Sequence, residues 1–222
     1  MKKIIKKIIK KILRSLGWKL VKINLRKPKS YVSGKPEIHD FEYINKASGV
    51  LHLGGHRGLE AAVYNWFNKK VIWIEAIPNL FNELKDNIQI FYNQDAICAL
   101  LGDIDGKKTK FYLSNKDQSC SSIFDLSEEV KSKELWKEHN IKIEGHIILK
   151  MRTLDSIFDE RNINSDDYNH WVMDLQGAEL LCLKGANKSI KSCRSIHIEI
   201  SSKNYYEGGS KWLEIKEFLN QK

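Results

Sequence analysis

The chain has 222 residues, of which 42% are hydrophobic and 29% charged, with 3 prolines and 13 glycines. This length suits one domain of ordinary size with a short appendage and excludes two large domains. The composition excludes collagen-like and disordered proteins, so we predict a globular fold.

The formal charge of +9 is concentrated at the N-terminus. Of the 37 Lys and Arg residues, 12 lie in residues 1–29, which contain no acidic side chain. Residues 30–222 then carry 25 basic against 28 acidic side chains. A duplex-binding domain needs its positive charge on the folded body, so we predict no nucleic-acid partner. We divide the chain into a basic arm and linker, 1–29, and a folded domain, 30–222.

The four cysteines do not form a metal-binding or disulfide pattern. Cys98, Cys120, Cys182 and Cys193 include no C-x-x-C pair, and the seven histidines are scattered. Reduced thiols in a cytoplasmic protein without a bound metal are therefore expected.

Residues 1–16 read MKKIIKKIIKKILRSL and have a strongly amphipathic pattern. Isoleucine and leucine recur on one helical face and lysine on the other, which predicts a helix lying in the plane of an anionic membrane surface, with residues 1–22 as the contact. The apolar runs are too short to span a bilayer, and no cleavage site of a signal peptide follows. The alternative is a solvated helix whose isoleucine stripe packs on its own domain or on a partner. The first interpretation predicts a cytoplasmic protein peripherally associated with the membrane.

After a polar link around residues 27–36, short apolar runs alternate with helical patterns, which indicates an α/β fold. In the first half of the domain we predict a strand over 49–53, a helix over 59–67, a strand over 71–75, a strand near 90–92, and a hairpin within 99–111 around the turn 102–106.

The second half continues the alternation of short apolar runs and helical patterns. Here we predict a helix over 127–138, a strand over 147–151, a helix over 154–160, a strand over 170–175, a helix over 179–186, a strand over 195–200 and a last helix over 212–219.

Three glycines, Gly54, Gly55 and Gly58, lie between the first strand and the first helix. Such a loop lets the backbone approach a ligand closely and presents N-terminal helix amides. Glu75 ends the next strand, 21 residues after Gly54, where an acid can accept both ribose hydroxyls of a nucleoside. This pattern serves NAD and S-adenosylmethionine equally. Its structural alternative is a tight turn with a glutamate at the sheet edge.

Six stretches, in the same order over about residues 49–219, resemble the FkbM-type S-adenosylmethionine-dependent methyltransferases: LHLGGHRGLEAAVY, VIWIEAIPNLFNEL, SCSSIF, TLDSIF, WVMDLQGAELLCLKGA and IHIEIS followed by YYEGG. The resemblance implies a class I methyltransferase, or Rossmann-like, fold with a mostly parallel sheet flanked by helices. It also implies methyl transfer, commonly to oxygen, on sugars or other natural-product and surface-glycan acceptors.

The resemblance also implies where the cofactor S-adenosylmethionine binds. Its methionine end would meet the glycine loop, its ribose Glu75, and its adenine the region of Asp95 and Ala96 after the third strand. His52 departs from the commoner acid of the family in the first strand. Two further groups are expected near the pocket: His56, which either meets the cofactor carboxylate or caps the turn, and the serines Ser121 and Ser122.

Asp174 follows a buried strand and emerges at the carboxyl edge of the sheet, where open α/β folds bind ligands. The family usually reads D-x-E-G-x-E here, and Gln176 replaces the central acid. Glu199 ends the last strand, whereas His197 is expected to be a buried core histidine. Asp174 and Glu199 are the candidate bases for an acceptor hydroxyl. Asp174 is alternatively a simple helix cap.

We therefore predict O-methylation of a sugar or glycan hydroxyl at the cytoplasmic membrane face, with a saccharide or glycolipid as acceptor. One alternative is a non-catalytic, degenerate methyltransferase fold that binds a nucleoside or a partner. A less favoured alternative is an NAD-dependent enzyme.

The sequence after residue 200 holds one more helix and no evident strand pair, so the C-terminal β-hairpin usual in this fold is expected to be missing or replaced by an earlier pair of strands. The strand over 195–200 would then be an edge. Two hypotheses follow: a homodimer formed through that edge, or a protein with weak or no activity.

Overall fold

The structure, a computed structural model, describes residues 39–131, 141–200 and 205–222. The basic arm over 1–29 lies outside these residues, as does most of the helix expected over 127–138, of which α4 below is the described part. Predictions about the arm therefore stay predictions.

The described residues form eight β-strands in chain order: β1 Gly49–Leu53, β2 Lys70–Glu75, β3 Gln94–Cys98, β4 Leu100–Leu101, β5 Lys108–Ser114, β6 Ile143–Arg152, β7 His170–Met173 and β8 Ser195–Ile198. The α-helices of the same part of the chain are α1 His39–Lys46, α2 Ala61–Trp66, α3 Pro78–Ile88, α4 Glu128–Lys131, α5 Leu154–Arg161, α6 Glu179–Lys184 and α7 Trp212–Asn220.

The central sheet has five parallel strands in the order β3-β2-β1-β7-β8. Its middle strands are apolar along their length because helices cover both faces, as is usual for parallel sheets. All five residues of β1 are buried. The mostly parallel, helix-flanked sheet confirms the predicted Rossmann-like α/β class.

Alternate side chains of the central strands supply two separate cores. On one face, Leu53, Ile74 and Met173 pack with residues of α5, α6 and α7, including Leu183 and Ile215. The opposite face packs against α2 and α3 through a second set of buried residues: Val50, Val71, Trp73, Tyr64, Leu84 and Ile88. Each fully buried aliphatic side chain contributes about 1.5–3 kcal/mol, so these cores hold the strand ends at fixed positions.

The third strand of the central sheet lies later in the chain than predicted. Ile90 and Tyr92, expected in a strand, are 76% and 89% exposed and lie in the turn after α3. The strand is Gln94–Cys98, whose exposed Asp95 weakens its apolar pattern. The prediction followed an apolar cluster that the fold leaves in solvent, and it was wrong.

A second sheet has the order β4-β6-β5 and carries the antiparallel pair. β5 pairs antiparallel with β6, whereas β4 pairs parallel with β6, so β4 and β5 do not form the hairpin expected around the turn 102–106. Asp105 of that turn instead accepts hydrogen bonds from the Thr153 N–H at 2.9 Å and the Ser156 hydroxyl at 2.6 Å. The turn therefore holds the start of α5, whose N-cap is Thr153.

β8 is the edge of the central sheet in the described residues, and the described chain after it contributes α7. The antiparallel pair β5–β6 precedes β7 in the chain and lies in the second sheet, so no described strand extends the central sheet beyond β8. Whether the β8 edge pairs with a second copy stays a prediction. No helix among the described residues is long and apolar enough to cross a membrane.

Candidate active site

A cavity of about 260 Å³ opens at the carboxyl ends of β1, β2 and β7. In doubly wound sheets this edge is where ligands bind, because the loops after neighbouring strands converge there. The cavity is lined by residues from six parts of the chain: His52, Gly54, Gly55, His56, Glu75, Ile77, Leu80, Leu100, Phe111, Ser119, Ser121, Ile123, Asp174 and Gln176.

The glycine loop after β1 depends on its glycines for close packing. Gly54 has φ +89°, and a Cβ there would collide with the Asp174 carbonyl oxygen. Gly58 has φ +68°, and a Cβ would lie 2.6 Å from a Leu84 methyl carbon. Of the predicted cofactor residues in this loop, Gly54, Gly55 and His56 line the cavity, whereas Gly58 packs on α3.

The backbone N–H groups of the glycine loop are bonded within the protein. Those of Gly54 and Gly55 both donate to the Ile74 carbonyl at 2.9 Å, and that of Gly58 donates to Gly55 at 2.8 Å. The loop therefore brings its backbone close to the cavity without presenting these amides to a ligand.

Glu75, 7% exposed at the end of β2, braces the glycine loop. Its Oε2 accepts the N–H of His56 and its Oε1 that of Ile77, both at 2.8 Å. Burial raises the pKa of Glu75 from its ordinary value, and these hydrogen bonds oppose the shift. An ionised carboxylate has about four lone-pair sites, so two bonds leave capacity for hydroxyl donors from a ligand.

An apolar wall faces Glu75 across the cavity. Ile77, Leu80, Leu100 and Phe111 form one small buried cluster, and Ile123 packs against it. Ile77 and Leu80 lie at the start of α3, and Leu100 and Phe111 lie in β4 and β5, so α3 and the second sheet meet at this wall. Such a surface suits a flat, weakly polar ring.

Asp95 and Ala96 do not reach the cavity. They lie inside β3, where Asp95 pairs with Ile72 of β2, so they precede the carboxyl end of the strand. Their assignment near an adenine depended on a third strand over 90–92. Because the strand is Gln94–Cys98, the residues that follow it are Ala99 and Leu100, and both line the cavity.

The segment 115–122 closes one side of the cavity. Asp117 and Gln118 are consecutive non-glycine residues with positive φ, +61° and +65°. The His56 ring nitrogen Nε2 and the Asp117 carbonyl oxygen are 2.8 Å apart, which joins this segment to the glycine loop. Such backbone conformations cost on the order of 1–3 kcal/mol each and persist only where surrounding contacts hold them.

The two predicted serines differ in position. Ser121 lines the cavity, and its hydroxyl accepts the Ser114 N–H at 3.0 Å. Ser122 is almost fully buried, and its hydroxyl donates to the Gln176 carbonyl at 2.7 Å. Ser122 therefore ties this segment to the loop after β7.

The loop after β7 is braced by Glu179, the first residue of α6. Its Oε1 accepts the N–H groups of Leu175 at 3.0 Å and Gly177 at 3.2 Å. The described residues contain no group of three or more His, Cys, Asp or Glu side chains arranged to hold a metal ion. The acids near Asp174 instead have partners in the backbone and in one another.

Asp174 lies at the cavity and has a raised pKa. Its backbone N–H extends the β1–β7 pairing by donating to Leu53 at 2.9 Å. Burial, the Glu199 carboxylate and a hydrogen bond to Glu199 raise the pKa of Asp174 to about 7, against a lowering hydrogen bond from Gln176. The structure thus brings together the two predicted bases, Asp174 at the cavity and Glu199 exposed beside it.

His52 and His197, the two histidines that the sequence analysis discussed on strands, have different environments. His52 is buried, its Nδ1 lies 2.9 Å from the Tyr64 hydroxyl oxygen, and its ring stacks on Trp73. Burial lowers the pKa of His52 to about 3, with smaller contributions from His197 and His170, so it is neutral. His197 is exposed, and its prediction as a core residue was wrong because the edge position of β8 leaves its face open.

Sequence reasoning missed the contribution of Gln118, which lines the cavity, and did not recognise Gln176 as a link between loops. The Gln176 side chain contacts both Asp174 and Tyr206. Neither glutamine stands out in the sequence, because both lie outside the strands and α-helices at positive φ and the Tyr206 partner of Gln176 is 30 residues away.

Comparison with known proteins agrees with this geometry. Residues 52–222 match the methyltransferase FkbM domain, and this region contains the glycine loop, Glu75, Asp174 and the second sheet. Searches of curated proteins and of solved structures returned no match. Because the match extends over most of the chain, the protein belongs to the FkbM methyltransferase family.

Proposed function

We propose that this methyltransferase uses S-adenosylmethionine to methylate a hydroxyl oxygen. The observation that carries the proposal is that the glycine loop, Glu75 and Asp174 line one cavity in a chain of this family. S-adenosylmethionine supplies a methyl group already activated by its positively charged sulfur.

The lining residues fit the two ends of a nucleoside. The Glu75 carboxylate is fixed by two N–H donors and keeps lone pairs for the ribose hydroxyls. The wall that includes Ile77, Leu100 and Phe111 would offer an apolar surface to the flat adenine. Gly54 and Gly55 allow the methionine end to approach the backbone, since side chains there would fill the space or collide with neighbours.

In this proposal, Asp174 takes the proton of the acceptor hydroxyl. A carboxyl group with a pKa near 7 is substantially ionised at neutral pH and is still basic enough to take a proton as the new bond forms. With S-adenosylmethionine bound, its sulfonium would supply the methyl group to the acceptor oxygen and leave as S-adenosylhomocysteine, and Asp174 would take the hydroxyl proton. Glu199, which is beside Asp174, lies on the solvent side.

We further propose that the acceptor is a saccharide or glycolipid at the cytoplasmic face of the membrane. The family resemblance and the basic, amphipathic pattern of residues 1–22 support this. Each Lys or Arg near an anionic leaflet contributes about 1 kcal/mol, so several together give reversible binding.

Transfer of tritiated methyl from labelled S-adenosylmethionine into fractionated glycolipid and polysaccharide extracts tests the reaction. Counts that appear in one fraction with the wild-type chain, and disappear with Asp174→Asn, are expected. Calorimetric binding of S-adenosylhomocysteine without any incorporation would contradict catalysis and support a non-catalytic binding module. Tighter binding of a nicotinamide dinucleotide than of S-adenosylhomocysteine would reject S-adenosylmethionine as the cofactor.

Deletion of residues 1–22 tests the location. The full chain should co-sediment with vesicles containing anionic lipid, and the deleted chain should stay in the supernatant. Neutral phosphatidylcholine vesicles are the matched control, because they offer the same hydrocarbon without the charge. Unchanged co-sedimentation of the deleted chain would refute the membrane role of the arm.

A further inference from the structure

The Gln176 side chain bridges two groups at the acceptor side of the cavity. Its Nε2 donates to Asp174 Oδ1 and its Oε1 accepts the Tyr206 hydroxyl proton, both at 2.5 Å. A glutamine amide has donors on nitrogen and acceptors on oxygen only. With the Tyr206 hydroxyl donating to the oxygen, the amide nitrogen is directed at the carboxyl of Asp174.

The backbone holds this bridge in place. Gln176 has φ +51° and Gly177 has φ +97°, so the chain reverses sharply at this point. The Ser122 hydroxyl donates to the Gln176 carbonyl at 2.7 Å, and Glu179 accepts the Gly177 N–H at 3.2 Å. A strained conformation supported from two sides indicates that the direction of the side chain is built into the fold.

The charges around Asp174 explain what such a donor does. The titratable groups facing it are Glu199 after β8, Glu179 of α6, Cys120 of the segment 115–122, and Tyr206. Each of these groups is neutral when protonated and negative when ionised, so none of them offsets the negative charge of an ionised Asp174. Gln176 brings an uncharged N–H donor to this group, and hydrogen bonding to a charged form favours that form.

We propose that Gln176 is a positioning residue whose amide, oriented by the Tyr206 hydroxyl, keeps the Asp174 carboxylate available as the proton acceptor. The role in catalysis rests on the proposed function, whereas the bridge itself does not. A carboxylate at position 176, the usual residue in the family pattern, would present no N–H to Asp174 and would add a further negative charge beside it.

A titration of the Asp174 side-chain carbon in uniformly ¹³C-labelled protein tests the bridge without activity. Asp174→Asn assigns the signal. In Gln176→Glu, the midpoint should rise by about 1 pH unit or more, because a donor is lost and a like charge is gained. Gln89→Glu, an exposed position after α3, adds the same charge away from the cavity and should leave the midpoint unchanged. Equal midpoints in both variants would overturn the proposal.

Tyr206→Phe isolates the orienting hydroxyl while keeping the ring in place. The Asp174 midpoint should rise in this variant, by less than in Gln176→Glu, because the amide loses the contact that directs it. When Tyr206→Phe is added to Gln176→Glu, the further shift should vanish, since the amide no longer exists. Equal shifts in the two backgrounds would mean that Tyr206 acts on Asp174 independently of Gln176.

Failure of this inference and failure of the proposed function give different results. If the wild-type chain transfers no methyl group but the titration responds to Gln176→Glu, only the proposed function fails. If transfer occurs, the rising limb of its pH–rate profile should move toward alkaline pH in Gln176→Glu by the same interval as the carboxyl midpoint. A limb that does not move would separate Gln176 from catalysis.

Discussion

The half of the cavity built on β1 and β2 contains the buried carboxyl group of Glu75, and the half built on the end of β7 contains the half-buried carboxyl group of Asp174, and the two groups have different partners. Glu75 has one backbone N–H on each oxygen, so it serves as a brace for the glycine loop and α3. Asp174 receives one amide N–H and faces the Glu199 carboxyl. The different partners therefore make Glu75 a brace for backbone N–H groups, whereas Asp174 has a pKa raised to about 7.

The two halves also meet through a backbone contact. The Gly54 Cα packs against the Asp174 carbonyl, and the Asp174 N–H donates to Leu53. A change at this contact should disturb both halves, whereas changes to Glu75 or Asp174 alone should separate them.

The largest expected effect is on turnover. Asp174→Asn should lower the rate of methyl transfer by roughly 10²–10⁴-fold, because the amide cannot take the acceptor proton. Affinity for S-adenosylhomocysteine, measured by calorimetry, should stay near the wild-type value. Asp86→Asn, an exposed change on α3, is the matched control and should have no effect. Full turnover in Asp174→Asn would remove this residue from the mechanism.

The next expected effect is a loss of stability when the contact between the two halves is disrupted. Gly54→Ala should lower the free energy of unfolding by about 3 kcal/mol or more, because the new Cβ collides with backbone at a positive φ. Gly106→Ala has a similar φ of +78° and no atom within 4 Å, so it carries the backbone strain alone, about 1–2 kcal/mol.

Urea unfolding of the two glycine variants measures that difference. If Gly54→Ala is no less stable than Gly106→Ala, the close approach of the loop to Asp174 is not what the glycine provides.

Loss of Glu75 should affect cofactor binding. Glu75→Ala removes charge-assisted hydrogen bonds of about 1.5–3 kcal/mol each, so the affinity for S-adenosylhomocysteine should fall by at least about tenfold. Glu217→Ala, exposed on α7, is the matched control. Calorimetry that gives wild-type affinity for Glu75→Ala would show that the ribose binds elsewhere.

The last expected effect is a pH dependence of stability. The pKa of Asp174 is raised to about 7 in the folded chain from 3.8, so the native state binds a proton that the unfolded state releases. Stability from this group is therefore present at low pH and falls as pH rises from about 4 to 7, by on the order of 1 kcal/mol per pH unit.

In Asp174→Asn, the side chain at this position no longer titrates. Urea unfolding at pH 5 and pH 7 should show the variant gaining stability relative to the wild-type chain as pH rises, and Asp86→Asn should run parallel to the wild-type chain. A constant difference between Asp174→Asn and the wild-type chain would contradict the raised pKa.

Much of the fold follows from local pattern. The apolar runs of β1, β2 and β7 predicted buried strands because both faces of a parallel sheet are covered, and glycines between β1 and α2 predicted a sharp bend. The third strand was misplaced because Ile90 and Tyr92, apolar in sequence, are exposed in the fold. The hairpin was misplaced because β5 pairs with a strand that follows more than 25 residues later.

The sequence by itself determined the order of strands and helices, the bend after β1, the acid at the end of β2 and, through its motifs, the family. Only the tertiary structure decided which N–H groups Glu75 accepts, that Glu199 lies beside Asp174, and that Gln176 joins Asp174 to Tyr206. The periodicity of hydrophobic residues in the sequence indicates which faces of a helix or strand are buried. Hydrogen-bond partners and pKa shifts depend on side chains from distant segments, whose separation is set by how the elements pack.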